Sequence, residues 1–238
     1  MKIAIIGCGW LGQRVAKHLT DKNHHVLATT TSPEKIPVLE KFASEVHLLD
    51  FNTTENFDFF KEIEMAIFSM PISRNTWHEG FEKIQFPFPR TLFFSSTGVY
   101  PQDPGIYTEN FTENLRLDIV TSETLVKEKF PQTTILRFGG LMGDERSVQN
   151  FYKHKEPADP AKKVNYIHYD DIAAIVELFL TTEKKSEVYN IVAPEHPSLA
   201  EILNIEIEQE NSAQRIISPE QFIRDFNYKF IHPNPKYF

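Results

Sequence analysis

The sequence predicts an α/β fold built on a doubly wound, mostly parallel sheet. Three observations lead there. Short apolar runs alternate along the chain with longer segments of helical period. Seven of the runs read as continuous buried strands, the pattern of a sheet covered on both faces. The first run ends in a glycine-rich turn that opens a helix, Gly7-Cys8-Gly9-Trp10-Leu11-Gly12.

Lys2–Ile6 is the first predicted strand. Trp10–Thr20 is the helix after it, with Leu11, Val15 and Leu19 four apart on one face. Val26–Thr30 is the next strand. Pro33–Ala43 reads as a helix from Ile36, Leu39 and Phe42 at three-residue spacing, with Pro33 suited to a first turn. Val46–Leu49, Met65–Ser69 and Thr91–Ser96 are strands. Leu115–Phe130 reads as a long helix with Ile119, Glu123, Val126 and Phe130 along one stripe. Thr133–Phe138 is a strand. Asp170–Leu180 is a helix with Ile172, Ile175, Val176 and Phe179 on its apolar face. Val188–Val192 is the last strand, and Ser198–Ile205 a helix capped by Ser198. Asn52–Ile63, Gln102–Asn114 and Asp144–Lys163 are the least regular stretches. The last two follow strands, so they border the carboxyl edge of the sheet, where ligands bind in this fold type. The expected division is a main domain over 1–193 and a small C-terminal lobe over 194–238. Residues 144–163 contribute to a substrate cleft, and Phe222, Phe226, Phe230 and Phe238 pack the lobe.

The composition narrows the function. Lys and Arg total 25 against 33 Asp and Glu, a net charge of −8 over 238 residues. That acidity gives no electrostatic case for nucleic acid, which needs a basic face. No apolar run approaches a membrane-spanning length. The opening apolar run is broken by Gly7 and Gly9, too soon for a signal peptide. A cytoplasmic protein is the expectation. The single Cys8 excludes an intramolecular disulfide and a cysteine zinc site, and the His24-His25 pair lacks ligand spacing, so no metal is expected. The 20 Phe residues predict aromatic packing in parts of the core.

The glycine turn carries the functional signal. In a G-x-G-x-x-G pattern between strand and helix, Gly7 permits the tight turn. Gly9 lets backbone amides approach a pyrophosphate at the helix N-terminus, and Gly12 lets helix and strand pack closely. Cys8, Trp10 and Leu11 complete this cofactor loop. The alternative is a turn kept only for packing. A Cys8 thiol at a helix N-terminus can serve as a redox switch; a small residue facing away from the cofactor is the simpler reading. The second strand ends in Thr29, Thr30, Thr31 and Ser32, with Lys35 beyond. These hydroxyls and one amine suit a 2′-phosphate, which leans the expected cofactor from NAD toward NADP.

Five landmarks follow one another at family spacing: Gly7–Gly12, Ser95-Ser96-Thr97-Gly98-Val99-Tyr100, Leu136-Arg137-Phe138-Gly139-Gly140-Leu141-Met142-Gly143, Ile167-His168-Tyr169-Asp170-Asp171-Ile172-Ala173, and Val188-Tyr189-Asn190-Ile191-Val192. With them the chain resembles an extended, atypical short-chain dehydrogenase/reductase, of the NAD-dependent epimerase/dehydratase superfamily. It is most similar to the small bacterial subgroup opening Gly-Cys-Gly-Trp-Leu-Gly; larger members usually open Gly-x-x-Gly-x-x-Gly. The resemblance implies an NAD(P)-binding Rossmann fold with a small substrate lobe. It implies that Asp50 and Phe51 border the adenine ring and that Met70 and Pro71 pass under the adenosine ribose. Ser95 and Arg137 face the cofactor region.

The family's chemistry uses Ser or Thr, Tyr and Lys. The Tyr is the acid/base group, and the Lys lowers its pKa and holds the nicotinamide ribose. Ser96 matches the Ser/Thr position. Alignment on Glu123 puts Leu115 at the Tyr position and Ile119 at the Lys position, and no Tyr in the chain has Lys four residues later. The usual pair is therefore missing. Ser96 and Tyr100 are the remaining catalytic candidates. Tyr107, Glu109 and Glu113 lie on the following loop, and His168 is a candidate proton shuttle or a structural residue ahead of a helix capped by Asp170 or Asp171. Arg74, Arg116, Arg137 and Arg146 could meet an anionic small-molecule substrate. Three readings stand: an oxidoreductase or isomerase without the Tyr-x-x-x-Lys pair, a non-catalytic NAD(P)(H) sensor acting through a protein partner, and a scaffold without cofactor. Extended relatives often dimerise, and Leu117, Val120 and Leu125 beyond the core stripe are compatible with a homodimer.

Overall fold

The computed structural model describes residues 1–72, 74–207 and 213–238. In chain order the strands and helices are β1 (Lys2–Ile6), α1 (Trp10–Asp21), β2 (His25–Thr30), α2 (Ile36–Leu39), β3 (Glu45–Leu48), β4 (Met65–Phe68), α3 (His78–Phe81), β5 (Arg90–Ser96), β6 (Gly105–Tyr107), α4 (Leu117–Lys129), β7 (Thr134–Phe138), β8 (Gly140–Met142), α5 (Val148–Tyr152), β9 (Tyr166–His168), α6 (Tyr169–Thr181), β10 (Val188–Ile191), α7 (Leu199–Leu203), β11 (Arg215–Ile217) and α8 (Glu220–Phe226).

The seven expected strands form one parallel sheet in the order β10-β7-β5-β4-β1-β2-β3. The order reverses between β1 and β4, so the crevice beyond their carboxyl ends is the topological switch point. The apolar runs explain the burial. Residues 3–6 of β1 and all of β4 and β7 are buried, as two covered faces require. Two short parallel pairs lie outside the sheet, β6 with β11 and β8 with β9.

Each face has its own core. On one side α1 and α6 cover Ile3, Ile5, Val26, Ile67 and Leu136. On the other the expected aromatic packing appears, with Phe51, Phe57, Phe60, Phe68, Phe81, Phe88, Phe93 and Phe130 in one cluster. Phe68 and Phe130 stack at 5.3 Å. Phe222, Phe226 and Phe230 pack on the main core, whereas Phe238 lies against His168 and His232. Phe222 is wholly buried in that core, and Phe226 lies 5.2 Å from Phe179 of α6. A separate small core joins Val148 and Val164 to Leu199 and Ile202, so the lobe beside the cleft is built from both sides of the expected boundary at 193.

Helix ends follow local chemistry. The predicted helix over 33–43 is shorter, a 3-10 turn at Pro33–Lys35 followed by α2, because Pro37 restricts helix only to a first-turn position. The Leu115–Phe130 helix is realised as α4, which buries Ile119, Glu123 and Val126 as the stripe predicted. α7 carries a full capping box, Ser198 with Glu201, and Asn204 in the left-handed region (φ 55°) ends it. α6 is capped by His168, whose Nδ1 accepts the Asp170 N–H, and not by Asp170 or Asp171. Asp171 instead accepts backbone N–H groups of Ile231 and His232, tying down the C-terminal segment. His232 Nε2 lies 2.9 Å from Asp170 Oδ2 beside the same cap.

Candidate functional site

The β1–α1 turn is shaped by its glycines. Gly7 has φ +87°, and a Cβ there would lie 3.0 Å from the backbone of Ser69 and Met70. Only glycine lets this turn pass so close to the end of β4. Thr29 pins the turn: its Oγ1 accepts the Gly7 N–H at 3.0 Å and its carbonyl the Cys8 N–H at 2.8 Å. The sequence reading gave Thr29 no such role. Gly12 packs on β1, where a Cβ would lie 3.2 Å from Cys8 Sγ and 3.3 Å from Ile5. Cys8 is thereby sealed beneath the helix, and burial pushes its thiol up to about 12. A covered thiol held protonated favours the small buried residue over the redox switch.

Gly9 is the N-cap of α1. No side chain caps the helix, its first turn holds no acidic residue, and a Cβ on Gly9 would meet nothing within 4 Å. The first-turn amides thus face open space at the positive end of the helix dipole, an arrangement suited to an anion. They open on a groove of about 330 Å³ at the switch point. Gly9, Trp10 and Leu11 line one side, Ser69, Met70 and Ile72 follow β4, Ser95 and Ser96 end β5, and Phe138, Gly139, Leu141 and Arg146 close the far side. A larger cavity of about 500 Å³ is lined by α1, α6 and Asp144 and contains no residue of the glycine turn. Topology therefore makes the smaller groove the candidate site.

Beneath the groove lies a buried polar chain. Ser95 Oγ donates to Glu123 Oε1 at 2.5 Å, and Arg137 grips Glu123 with two hydrogen bonds of 2.9 and 2.6 Å. Arg137 Nη1 donates to the Tyr100 hydroxyl, which donates to Asn190 Oδ1 at 2.8 Å. The Asn190 N–H donates to Glu109 at 2.7 Å. Burial raises the pKa of the Tyr100 phenol, against the opposing pull of Arg137 and Asn190. Burial likewise raises that of Glu109.

The expected site residues therefore divide. Tyr100 is 0% exposed and its hydroxyl is fully engaged, so the structure does not bring it to the groove as a catalytic group. Arg137 is committed to Glu123, away from cofactor or substrate, and Ser95 reaches the groove with its hydroxyl spent on Glu123. Ser96 does line the groove. Its Oγ accepts the Gly98 N–H at 3.0 Å, which leaves its O–H as a donor for a bound oxygen. The Tyr and Lys positions are apolar in fact as in sequence: Ile119 is buried and Leu115 packs beside it with Val99 and Tyr100.

At the adenosine end, Thr30 Oγ1 accepts the Ser32 N–H and Thr31 is exposed. Glu34 stands exposed beside Lys35 on the same turn, a carboxylate that the argument from Lys35 passed over. Asp50 is partly exposed and holds Asn52. Phe51 is a correction: its ring is buried 6.0 Å from Phe81 in the aromatic core and offers no face to an adenine. Met70 lines the groove and Pro71 is exposed beyond it. Of the loop candidates, Tyr107 donates to the Asp103 carbonyl and Glu113 is exposed. Arg116 pairs with Asp118, Arg74 is exposed, and Arg146 alone of the four arginines lines the groove.

Comparisons with known proteins agree with this geometry. Residues 2–76 match the family model described as NADP oxidoreductase coenzyme F420-dependent. Over its length the chain is 24% identical to Protein YeeZ of Escherichia coli (strain K12), with 98% of this chain and 97% of YeeZ covered. Its structural neighbours are NAD-dependent epimerase/dehydratases. One from Methylobacillus flagellatus, described by that activity, superposes with TM-score 0.75 at 21% identity, covering 98% of this chain and 94% of the other. UDP-glucuronic acid 4-epimerase from Bacillus cereus, in complex with NAD, superposes with TM-score 0.75 at 16% identity, covering 99% and 94%. At these identities the likeness establishes a shared Rossmann-type α/β fold.

Proposed function

We propose that this chain is an NAD(P)-binding oxidoreductase or isomerase of the epimerase/dehydratase type that works without a Tyr-x-x-x-Lys pair. The observation that carries the reading is the uncapped N-terminus of α1 at a glycine turn, opening on a groove at the switch point. Gly9 leaves room for a pyrophosphate, and the first-turn amides supply its donors. The neighbours' bound NAD and the NADP-dependent family match support the cofactor class; Lys35 beside Glu34 gives little reason to choose between the two forms.

When bound, a nicotinamide dinucleotide supplies or accepts the hydride. The chain's own residues orient and exclude. Ser96 donates a hydrogen bond to the substrate oxygen, and Met70, Ile72 and Leu141 form an apolar wall beside it. No phenol or amine lines this groove among the described residues, so the proton that accompanies reduction comes from solvent. A homodimer through α4 belongs to the same proposal; Leu117 on that helix is 78% exposed. The second reading is a dinucleotide sensor, favoured by the apolar packing of Leu115 and Ile119 where the acid/base pair is expected.

Titration with NADPH and NADH, followed by nicotinamide fluorescence, tests the cofactor. Saturable binding of either supports it, and no binding by folded protein refutes it. A panel of alcohols, aldehydes and sugar nucleotides, followed by nicotinamide absorbance, then separates the readings. Turnover excludes the sensor; binding without any turnover leaves it.

A further inference from the structure

The groove carries one charged side chain, and the structure builds a support for it. Gly143 and Arg146 close a two-residue turn by mutual backbone hydrogen bonds of 2.8 and 3.0 Å. Gly143 has φ +122°, and a Cβ there would lie 2.4 Å from the Tyr169 ring, so the turn sits directly on α6. Both residues at its tip are anchored. Asp144 accepts Arg14 at 2.7 Å and the Tyr169 hydroxyl at 3.0 Å. Glu145 accepts the Trp10 indole N–H at 2.5 Å. Arg146 is different. Its guanidinium lies 4.1 Å from the Trp10 ring centre, against 3.8 Å for Arg14, and among the described residues no carboxylate pairs with it. Two cations on one indole, with only Arg14 neutralised by acids, leave a fixed positive charge at the groove wall.

We infer that Arg146 is the substrate's anion anchor: the reacting molecule carries a carboxylate or phosphate that Arg146 takes in a two-pronged hydrogen bond, with Trp10 holding the guanidinium plane in place. The inference rests on the groove being the substrate site, as in the proposed function. The physical case is complementarity. A guanidinium held by a ring face has its N–H edge free, and that edge matches the two oxygens of a carboxylate or phosphate. The rest of the lining is glycine, serine and apolar, so no other side chain there competes for a negative group. Trp10 also belongs to the glycine turn, so the anchor packs against the element proposed to hold the cofactor.

The test is calorimetric titration of NAD⁺-saturated protein with two probes, glycerol 3-phosphate and malonate. NAD⁺ fills the helix N-terminus, so a probe reports the remaining anion site. The expected result is saturable binding of at least one probe, weakened about tenfold or more by Arg146→Gln and partly restored by Arg146→Lys, a larger change than any in NAD⁺ affinity. The probe that binds more tightly identifies the anion. Arg224→Gln, at an exposed position of α8, is the charge control and leaves probe binding as it was. Trp10 emission, separated from Trp77 by a Trp77→Phe background, shifts on probe binding in the parent and not in Arg146→Gln. Equal probe affinity in parent and Arg146→Gln, or no probe binding by protein that binds NAD⁺, overturns the inference. If NAD⁺ itself fails to bind, the cofactor reading falls, and the same titrations on the protein alone still decide Arg146.

Discussion

Replacing Glu123 by Ala isolates what the buried polar chain contributes. Side chains of Glu123 and Arg137 are 7% and 8% exposed, and two hydrogen bonds of 2.6 and 2.9 Å join them. Truncation leaves the guanidinium buried with the Tyr100 hydroxyl as its remaining described partner, and it strips the Ser95 hydroxyl of its acceptor. Orphaning one member of such a pair costs about 3–5 kcal/mol. For a chain of this size about 2–4 °C accompanies each kcal/mol, so the melting temperature falls by roughly 6–20 °C. Scanning calorimetry and urea unfolding measure it. The stranded charge also fixes the sign of a second variant. If the cost is the stranded charge, replacing both residues, Glu123→Leu with Arg137→Met, recovers most of the stability. A single-variant loss below about 1 kcal/mol, or a double variant no better than the single, refutes the argument. Arg137→Met in the double variant also leaves NAD(P)H affinity unchanged, since Arg137 faces Glu123 and not the groove.

Three further outcomes follow from the same geometry. Gly7→Ala puts a Cβ at φ +87° against the Ser69–Met70 backbone; it costs about 1–3 kcal/mol and weakens NAD(P)H binding, and a variant with parental melting and affinity disproves the strain. Cys8, with its thiol pushed up to about 12, resists alkylation by iodoacetamide at neutral pH until the chain unfolds; mass spectrometry showing rapid labelling of folded protein contradicts the buried placement. Glu109 has a pKa raised by burial above its ordinary 4.5. Its contribution to stability is full below that value and is lost as pH rises through the folded pKa. Glu109→Gln keeps an oxygen for the Asn190 N–H, so its stability relative to the parent grows as pH rises above 4.5; parallel stability profiles in the two proteins sink this prediction.

The sheet was legible because its inner strands, such as β4 and β7, are buried on both faces, which leaves continuous apolar runs in the sequence. The glycine turn was legible because φ +87° beside a backbone leaves glycine as the fitting residue. What escaped was set by distant partners. β6 and β8 are three residues long and exist through pairing with β11 and β9; three residues carry no period. The C-terminal phenylalanines signalled a core, but nothing local told that the core was that of α6 and β10. Phe51 next to Asp50 suits an adenine edge by position, yet the neighbouring phenylalanines draw the ring inward. Tyr100 offered an ionisable group near Ser96, but its orientation depends on Arg137 and Asn190, many residues away.

The charges inside this protein divide into two sets with opposite consequences. Glu123 occupies the same stripe of α4 as Ile119 and turns its carboxylate to Arg137 and Ser95, where every oxygen and nitrogen is matched. Among the described residues no buried side-chain nitrogen or oxygen lacks a partner. A matched buried network fixes the side chains that join it, so it holds strand ends in register. The groove has the reverse composition: an uncapped helix end, a serine with a free donor and one unpaired guanidinium. Each of these recognises negative charge or an oxygen lone pair, and none exchanges a proton near neutral pH. On the proposed function, the anionic cofactor and the anionic substrate would lie side by side here, with proton supply left to water. Under that proposal the expected pH profile of activity has no bell from a protein acid and base, and a bell-shaped kcat/KM profile refutes it.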